Sequence, residues 1–299
     1  MIARVAAGLA LLLLSACAGS FGGGCRQVPQ AQLAIEMRRN IPVVSATVDG
    51  APATLVLDTG AEHTILLASF VDRIHLKRDF RHATMIRGMG SAMATASARP
   101  NEIVLDHVTM DRWPVIVGSF STGDLPGGVP DGLLGADILA HFDVDLDVPN
   151  GRVTLYPACP GAVPPWTEPY VSLQGRLVRG RFLIPVKLND VTIQVAVDTG
   201  AEYSLVSTRA AREAGVTPAM LARDPPAALA VVGPDQLTAR VHRFREISLG
   251  AESYPNPVLP VIAFPSPAMD GLLGMNYLRR NRLWLSYASG QVFVARATP

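Results

Sequence analysis

Two short motifs in this chain each occur twice, at almost the same spacing. Asp58-Thr59-Gly60-Ala61-Glu62 is repeated at 198–202, and Asp131-Gly132-Leu133-Leu134-Gly135 is repeated at 270–274. The offsets are 140 residues from 58 to 198 and 139 residues from 131 to 270, so one unit has been duplicated with only small insertions. The duplication predicts two similar domains around a pseudo-twofold axis, with one motif aspartate, Asp58 or Asp198, from each.

The length and the charge balance limit what the two domains can do. A chain of 299 residues leaves about 130 residues for each copy, which is enough to bury a core. The 26 Lys and Arg residues nearly balance the 25 Asp and Glu residues, and no basic run is present. Because nucleic-acid binding needs positive charge against phosphates, we expect no nucleic-acid partner.

Each copy of the first motif follows a predicted β-hairpin, which places Asp58 and Asp198 at the ends of inner, apolar strands. A short helix after the second motif and a closing hairpin are also predicted in each copy. So many short strands favour a mainly β chain with closed or sandwiched β bodies. The predicted strands are 43–48, 53–57, 103–105 and 114–117, then 183–188, 191–197, 247–249 and 258–262; the predicted helices are 136–142 and 275–280.

The aspartate pair is the feature most directly linked to chemistry. Two carboxyl groups that meet face to face have no room for two negative charges, so the pair holds one proton. One member then acts as a base toward a water molecule and the other as an acid toward a scissile carbonyl oxygen. Asp58 and Asp198 are therefore the candidate catalytic residues.

The pattern Asp-Thr-Gly-Ala-Glu, then a Gly-bearing hairpin, then Leu-Leu-Gly before a short helix resembles the retropepsin-like clan of aspartic proteases. The resemblance covers nearly all of both repeats. It implies a mainly β, bilobal acid-protease-like fold, in which two tandem retropepsin-like β-barrel lobes are related by a pseudo-twofold axis. It also implies an aspartic endopeptidase that acts on a protein or peptide substrate, without a cofactor, as a monomer that is an intramolecular pseudo-dimer.

Four residues beside the aspartates are predicted to support them. Gly60 and Gly200 allow a tight turn and leave room for a peptide to approach the carboxyl groups. By the resemblance, the hydroxyls of Thr59 and Thr199 reach the backbone of the opposite lobe and hold the two aspartates in one plane.

Substrate contacts are predicted after each Asp-Thr-Gly and at the tips of two flap hairpins. Glu62 and Glu202 replace the Asp that viral members carry, and the arginine that pairs with that acid in those members is absent here, so the partner of each glutamate is not predicted. The alternatives are solvated turn charges for the glutamates and plain surface hairpins for the flaps. The predicted substrate-binding residues are Ala61, Glu62, Ala201, Glu202, Met89, Gly90 and Gly233.

Ala61 and Ala201 also bear on the pH range. Pepsin-like enzymes usually carry a hydroxyl at this position that donates to the ionised aspartate pair. Loss of that donor raises the pKa of the pair, because a hydrogen bond to the charged form lowers it. We therefore expect activity in mildly acidic to near-neutral conditions.

The N-terminal segment has the pattern of a secretory signal, with Arg4 followed by an apolar run too short to span a bilayer. Leu14-Ser15-Ala16-Cys17 resembles a bacterial lipobox, which predicts cleavage before Cys17 and its lipidation. The expected location is the periplasmic side of the bacterial cell envelope, with a lipid anchor in the outer membrane suggested by Ala18. The alternative is an ordinary signal that is cleaved elsewhere.

Two cysteines remain if Cys17 is lipidated, and in an oxidising compartment they predict a disulfide between Cys25 and Cys159. The alternative is two free thiols. The histidines have no metal-ligand spacing and no metal is expected. The predicted segments are a signal peptide at 1–16, a tether at 17–39, lobe one at 40–158, a Pro-rich linker at 159–169 and lobe two at 170–299.

Two other interpretations of the duplication stay open at this stage. One keeps the fold but pairs each repeat with the copy in a second molecule, giving a homodimeric protease with two sites. The other is a catalytically silent lipoprotein that captures extended peptides between its lobes.

Overall fold

The computed structural model describes residues 27–87, 92–118, 125–230, 236–250, 252–264 and 268–296. Across these ranges the chain is mainly β, with short strands and a few short helices. The predictions on Cys17, Cys25, Met89, Gly90 and Gly233 lie outside the described residues.

The first half of the chain forms lobe one. Its elements are β1 (Ala31–Ala34), β2 (Glu36–Arg38), β3 (Ile41–Val48), β4 (Ala51–Leu57), β5 (Ile65–Leu67), α1 (Ala68–Arg73), β6 (Arg78–Arg87), β7 (Ala92–Ala98), β8 (Glu102–Leu105), β9 (Val108–Asp111), β10 (Val115–Gly118), β11 (Gly132–Leu134), α2 (Ala136–Leu139), β12 (Phe142–Asp147), a 3-10 helix (Val148–Asn150) and β13 (Arg152–Pro157).

The second half forms lobe two. Its elements are β14 (Val171–Gln174), β15 (Arg176–Val178), β16 (Arg181–Leu188), β17 (Val191–Val197), β18 (Leu205–Ser207), α3 (Thr208–Glu213), α4 (Pro218–Arg223), β19 (Pro226–Ala230), β20 (Gln236–Arg243), β21 (Glu246–Leu249), β22 (Glu252–Pro255), β23 (Val258–Ile262), β24 (Gly271–Leu273), α5 (Met275–Leu278), β25 (Asn281–Ser286) and β26 (Gln291–Arg296).

The two lobes share one strand order. Lobe one builds a ten-stranded sheet in the order β6-β7-β10-β5-β11-β4-β3-β8-β9, with β2 paired to β3. Lobe two repeats it as β19-β20-β23-β18-β24-β17-β16-β21-β22, with β15 paired to β16. The prediction of a mainly β fold with two tandem lobes is confirmed.

The hairpins that lead to the two motif aspartates form for a local reason. β3 and β4 turn at Asp49 and Gly50, and β16 and β17 turn through Asn189; all three residues have positive φ. Asp, Asn and Gly tolerate that backbone conformation better than other residues, and tight hairpins need it. The strands then alternate buried and more exposed residues, so one face of each hairpin lies on the core.

A third sheet of six strands joins the lobes, in the order β1-β13-β12-β25-β26-β14. The two lobes meet where β12 pairs antiparallel with β25, opposite each other at Val144 and Leu285 and at Leu146 and Leu283. All four of these residues are buried in a core that extends through both lobes. The predicted closing hairpins, β12 with β13 and β25 with β26, therefore build the seam between the lobes.

Part of the predicted tether is ordered strand. β1 and β2 lie within residues 17–39, and β1 pairs with β13 while β2 pairs with β3. The buried side chains of Ala31, Leu33 and Ile35 explain why this segment packs against lobe one. Among the described residues, no helix has the length and hydropathy needed to cross a bilayer.

Candidate active site

Asp58 and Asp198 directly follow β4 and β17. Their backbone N–H groups donate to the carbonyls of Leu134 and Leu273, each at 3.1 Å. β11 and β24, which carry those two leucines, pair in parallel with β4 and β17. The second motif of each repeat therefore lies beside the first and holds the aspartate at the end of its strand.

The structure brings the two carboxyl groups together at the seam. The carboxyl groups of Asp58 and Asp198 lie close enough that each affects the pKa of the other. A Cβ atom built on Gly60 would lie 2.3 Å from Asp198 Cγ, and one on Gly200 would lie 2.5 Å from Asp58 Cγ. Each carboxyl group therefore packs against the glycine of the opposite lobe, where no side chain fits.

Backbone donors orient the carboxyl groups from within their own turns. The N–H of Gly60 donates to Asp58 Oδ1 at 2.9 Å, and the N–H of Gly200 donates to Asp198 Oδ1 at 2.9 Å. Ala201 N–H donates to the same Asp198 oxygen at 3.1 Å. In each carboxyl group, one oxygen is held by the turn that carries it.

Burial raises the pKa of both carboxyl groups. Desolvation is the largest cause at Asp198 and the charge of Asp58 is the next, and together they raise the pKa of Asp198 to about 8. Desolvation also raises the pKa of Asp58, which is 8% exposed, against the lowering effect of the Gly60 N–H bond. Each carboxyl group therefore keeps its proton to a higher pH than an exposed aspartate does.

Thr59 and Thr199 connect the two aspartate turns. The Thr59 hydroxyl donates to the carbonyl of Val197 at 2.8 Å, and the Thr199 hydroxyl donates to the carbonyl of Leu57 at 2.5 Å. The backbone N–H of each threonine donates to the hydroxyl of the other, at 3.0 and 3.1 Å. Both side chains are buried, and they form the cross-lobe contact that the resemblance predicts.

Glu62 and Glu202 each form ion pairs across the seam. Glu62 of lobe one binds Arg181 at 2.8 Å and Arg179 at 2.9 Å, both from lobe two. Glu202 of lobe two binds Arg39 of lobe one at 2.8 Å. The two glutamates are 17% and 25% exposed, so they are bridging groups rather than solvated turn charges. Their contact with substrate stays a prediction.

These arginines were not predicted from the sequence. Arg39 and Arg179 occupy equivalent positions, 19 residues before the aspartate of their own repeat. Each pairs with the glutamate of the other repeat, so the link becomes visible only when the two lobes are placed together. Aligning the two repeats could have revealed Arg39 and Arg179 as arginines at the same position. It could not have revealed Arg181, because its counterpart in the first repeat is Ile41.

Asp131 and Asp270, the first residues of the second motif, have a structural role. Each accepts a backbone N–H from β4 or β17, at 2.9 and 2.8 Å. Asp131 also forms an ion pair with Arg73 at 2.6 Å, and Asp270 forms one with Arg209 at 2.5 Å. They therefore connect the start of the second motif to the strand that leads to Asp58 or Asp198.

Ala61 and Ala201 join the aspartate turns to the helices that follow the second motif. Their carbonyls accept the backbone N–H groups of Ala136 at 2.9 Å and Met275 at 2.8 Å, the first residues of α2 and α5. Both side chains pack against small apolar clusters of their own lobe. Their predicted contact with substrate is not tested by these interactions.

The flap hairpins are described only up to their tips. β6 pairs with β7 as far as Arg87 and Ala92, and β19 pairs with β20 as far as Ala230 and Gln236. The predicted flap contacts lie outside the described residues and stay predictions. Within the described ranges, no cluster of three or more His, Cys, Asp or Glu residues could hold a metal ion.

Cys159 is disulfide-bonded and buried. Its backbone N–H also donates to Asp143 Oδ2 of β12 at 3.2 Å, which holds the start of the linker on the seam sheet. The predicted partner, Cys25, lies outside the described residues, so that pairing stays a prediction.

Two family models match the chain, one in each lobe. A model of an aspartyl protease matches residues 44–138, and a model of the gag-polyprotein aspartyl protease matches residues 184–280. Each match contains both motifs of its repeat. The search of curated proteins gave no match.

Proposed function

We propose, given that this chain belongs to the retropepsin-like aspartic proteases and carries two of their domains in tandem, that it is an endopeptidase with one site, formed by Asp58 and Asp198. The observation that supports this most strongly is the contact between the two buried carboxyl groups across the seam. Each domain supplies one of the two carboxyl groups, so the proposed site needs both.

In the proposed reaction the pair begins with one proton and one negative charge. The ionised carboxylate takes a proton from a water molecule, whose oxygen attacks the carbonyl carbon of the peptide bond. The protonated carboxyl group donates its proton to the carbonyl oxygen, which gives a neutral tetrahedral diol. The pair then gives its proton to the amide nitrogen and takes one from a hydroxyl of the diol as the C–N bond breaks, which releases an amine and a carboxylic acid. The pair ends with one proton again.

A single intramolecular site is favoured over a homodimer with two sites. The Thr59 and Thr199 hydrogen bonds and the Glu62 to Arg181 ion pair all join the two lobes of one chain. In a homodimer formed from separate repeats, these contacts would have to be made between molecules. Activity per molecule should therefore not fall when the protein is diluted.

The proposed substrates are proteins or peptides of the bacterial envelope, since we also propose that Cys17 carries a lipid anchor on the periplasmic side of the outer membrane. The lipobox-like sequence supports this anchor. Metabolic labelling with a fatty acid tests it, with Cys17→Ser as the control. Equal labelling of both proteins, or of neither, would remove the anchor from the proposal.

Digestion of a peptide library tests the peptidase function. A protein that lacks residues 1–17, and so keeps Cys25, should cleave the library, and Asp58→Asn and Asp198→Asn should each abolish cleavage, because each leaves the pair without one of its two roles. Peptide binding is measured on the same three proteins. Binding in all three without turnover in any would favour the silent peptide-binding lipoprotein instead.

A further inference from the structure

One guanidinium group crosses the seam and contacts the aspartate turn of the other lobe. Arg181, the first residue of β16 in lobe two, donates through Nε to the carbonyl of Gly60 and through Nη1 to Glu62 Oε1 at 2.8 Å. Its side chain is only 19% exposed. Arg181 thus fixes the turn after Asp58 at two points, one on the backbone and one on a side chain.

The position equivalent to Arg181 in lobe one carries no cation. β3 pairs with β4, and β16 pairs with β17, in the same register, which makes Ile41 of lobe one the equivalent of Arg181. Ile41 is a buried member of the apolar cluster beside Ala61 and cannot donate a hydrogen bond from its side chain. At this position, lobe two therefore presents a cation beside the aspartate pair, and lobe one presents an apolar side chain.

We propose that Arg181 is a positioning residue for the dyad, which fixes the Asp58 turn and, through its charge, sets the pH range in which the carboxyl pair holds one proton. This role belongs to the same site as the proposed peptidase function. It rests on that function only where activity is measured.

The electrostatics of the pair agree with this geometry. The positive charge of Arg181 lowers the pKa of both Asp58 and Asp198, against the larger effect of burial. Arg179 binds the same glutamate, Glu62, but Arg181 is the arginine whose charge acts on both carboxyl groups. The other ionisable groups around the pair are Glu62 with Arg179, Glu202 with Arg39, and the buried phenol of Tyr287, which senses the charge of Asp58.

Three variants separate the effect of charge from the effect of packing. Arg181→Met removes the charge and both contacts, Arg181→Gln removes the charge but keeps an amide donor, and Arg181→Lys keeps the charge without the two-pronged contact. Arg179→Met is the matched control, because it removes an exposed cation from the same glutamate and leaves Arg181 in place.

Two readouts are measured on each protein: kcat/KM against pH, and the carbon-13 titration of the Asp58 and Asp198 carboxyl groups. Arg181→Met and Arg181→Gln should move both the profile and the titration to higher pH by about one unit, as expected when a nearby opposite charge is lost. Arg181→Lys should stay near the wild-type pH, with a lower rate. Arg179→Met should leave the titration unchanged.

A loss of activity at every pH, with no movement of the profile or the titration, would make Arg181 a purely structural residue and overturn the proposal. If Arg181→Met does not fold, Arg181→Gln decides in the same way. If the wild-type protein shows no turnover, the proposed function fails, while the carboxyl titration still tests the role of Arg181.

Discussion

Arg282 of β25 donates two parallel hydrogen bonds to the carboxylate of Asp145 on β12, from Nε to Oδ1 at 2.9 Å and from Nη2 to Oδ2 at 2.7 Å. Asp145 is 2% exposed, and Arg282 also binds Glu168 of the linker at 2.7 Å. Because the two strands come from different lobes, this bidentate pair fastens both lobes and the linker together on the seam sheet.

Asp145→Ala should therefore weaken the whole molecule. The change leaves a largely buried guanidinium with only the half-buried Glu168 and the carboxylate of Asp147, 3.9 Å away, as acidic partners. We expect a loss of about 3 kcal/mol in the free energy of unfolding. Urea unfolding followed by tryptophan fluorescence measures it, since Trp284 lies buried in the same sheet.

The matched control is Arg245→Ala. Arg245 pairs with Asp190 at 2.6 Å, but both side chains are largely exposed, and exposed pairs contribute little. We expect no measurable change in stability. Equal losses for Asp145→Ala and Arg245→Ala would mean that the seam pair contributes no more than a surface one.

Thr199→Val should weaken the connection between the two aspartate turns while keeping the shape of the side chain. The buried hydroxyl donates to Leu57 and accepts from the N–H of Thr59, and both partners would lose a hydrogen bond. We expect a loss of about 2 kcal/mol in stability and a fall in kcat. Thr192→Val, at an exposed position of β17, the strand that precedes this turn, is the control, and an equal effect there would contradict this role.

The strands were predictable where apolar residues alternate with polar ones or form a short continuous run. The predicted strands 191–197 and 258–262 coincide with β17 and β23. The helices α1 and α3 were missed because six residues make fewer than two turns, too few for a helical period to stand out.

The seam sheet was not predictable from local patterns. In β12, Asp143, Asp145 and Asp147 alternate with apolar residues, a pattern that normally places the acids in solvent. All three are buried instead. Asp147 is bound by Asn150 and Arg152 of its own lobe, whereas the far lobe and the linker supply partners for Asp145 and Asp143, namely Arg282 and the N–H of Cys159. Such partners, like those of Glu62, lie too far along the chain for a sequence pattern to reveal.

Ala201→Ser should move the activity to lower pH. The N–H of residue 201 already donates to Asp198 Oδ1 at 3.1 Å, so a hydroxyl on the same residue is close to the carboxyl group. A second donor to the ionised form lowers the pKa of the pair, and both limbs of the kcat/KM profile should shift to lower pH. The wild-type profile should span mildly acidic to near-neutral pH. A wild-type optimum below about pH 3 would contradict the raised pKa values.

Asp198→Asn should stabilise the folded protein increasingly as the pH rises. The pKa of Asp198 is raised to about 8 in the fold, so between its usual value in the unfolded chain and pH 8 the unfolded state loses the proton first. The wild-type protein therefore loses stability as the pH rises through this range. The Asp198→Asn variant has no proton to lose at this position and does not.

The measurement is urea unfolding of both proteins from pH 4 to pH 9. The stability of Asp198→Asn relative to the wild type should grow through this range and level off above about pH 8. Asp190→Asn is the control, because a hydrogen bond from Arg245 lowers the pKa of Asp190, so this group is ionised in both states over the measured range and its difference from the wild type should not change with pH. A constant difference between wild type and Asp198→Asn at every pH would mean that Asp198 titrates alike in both states, and that the two carboxyl groups do not share a proton.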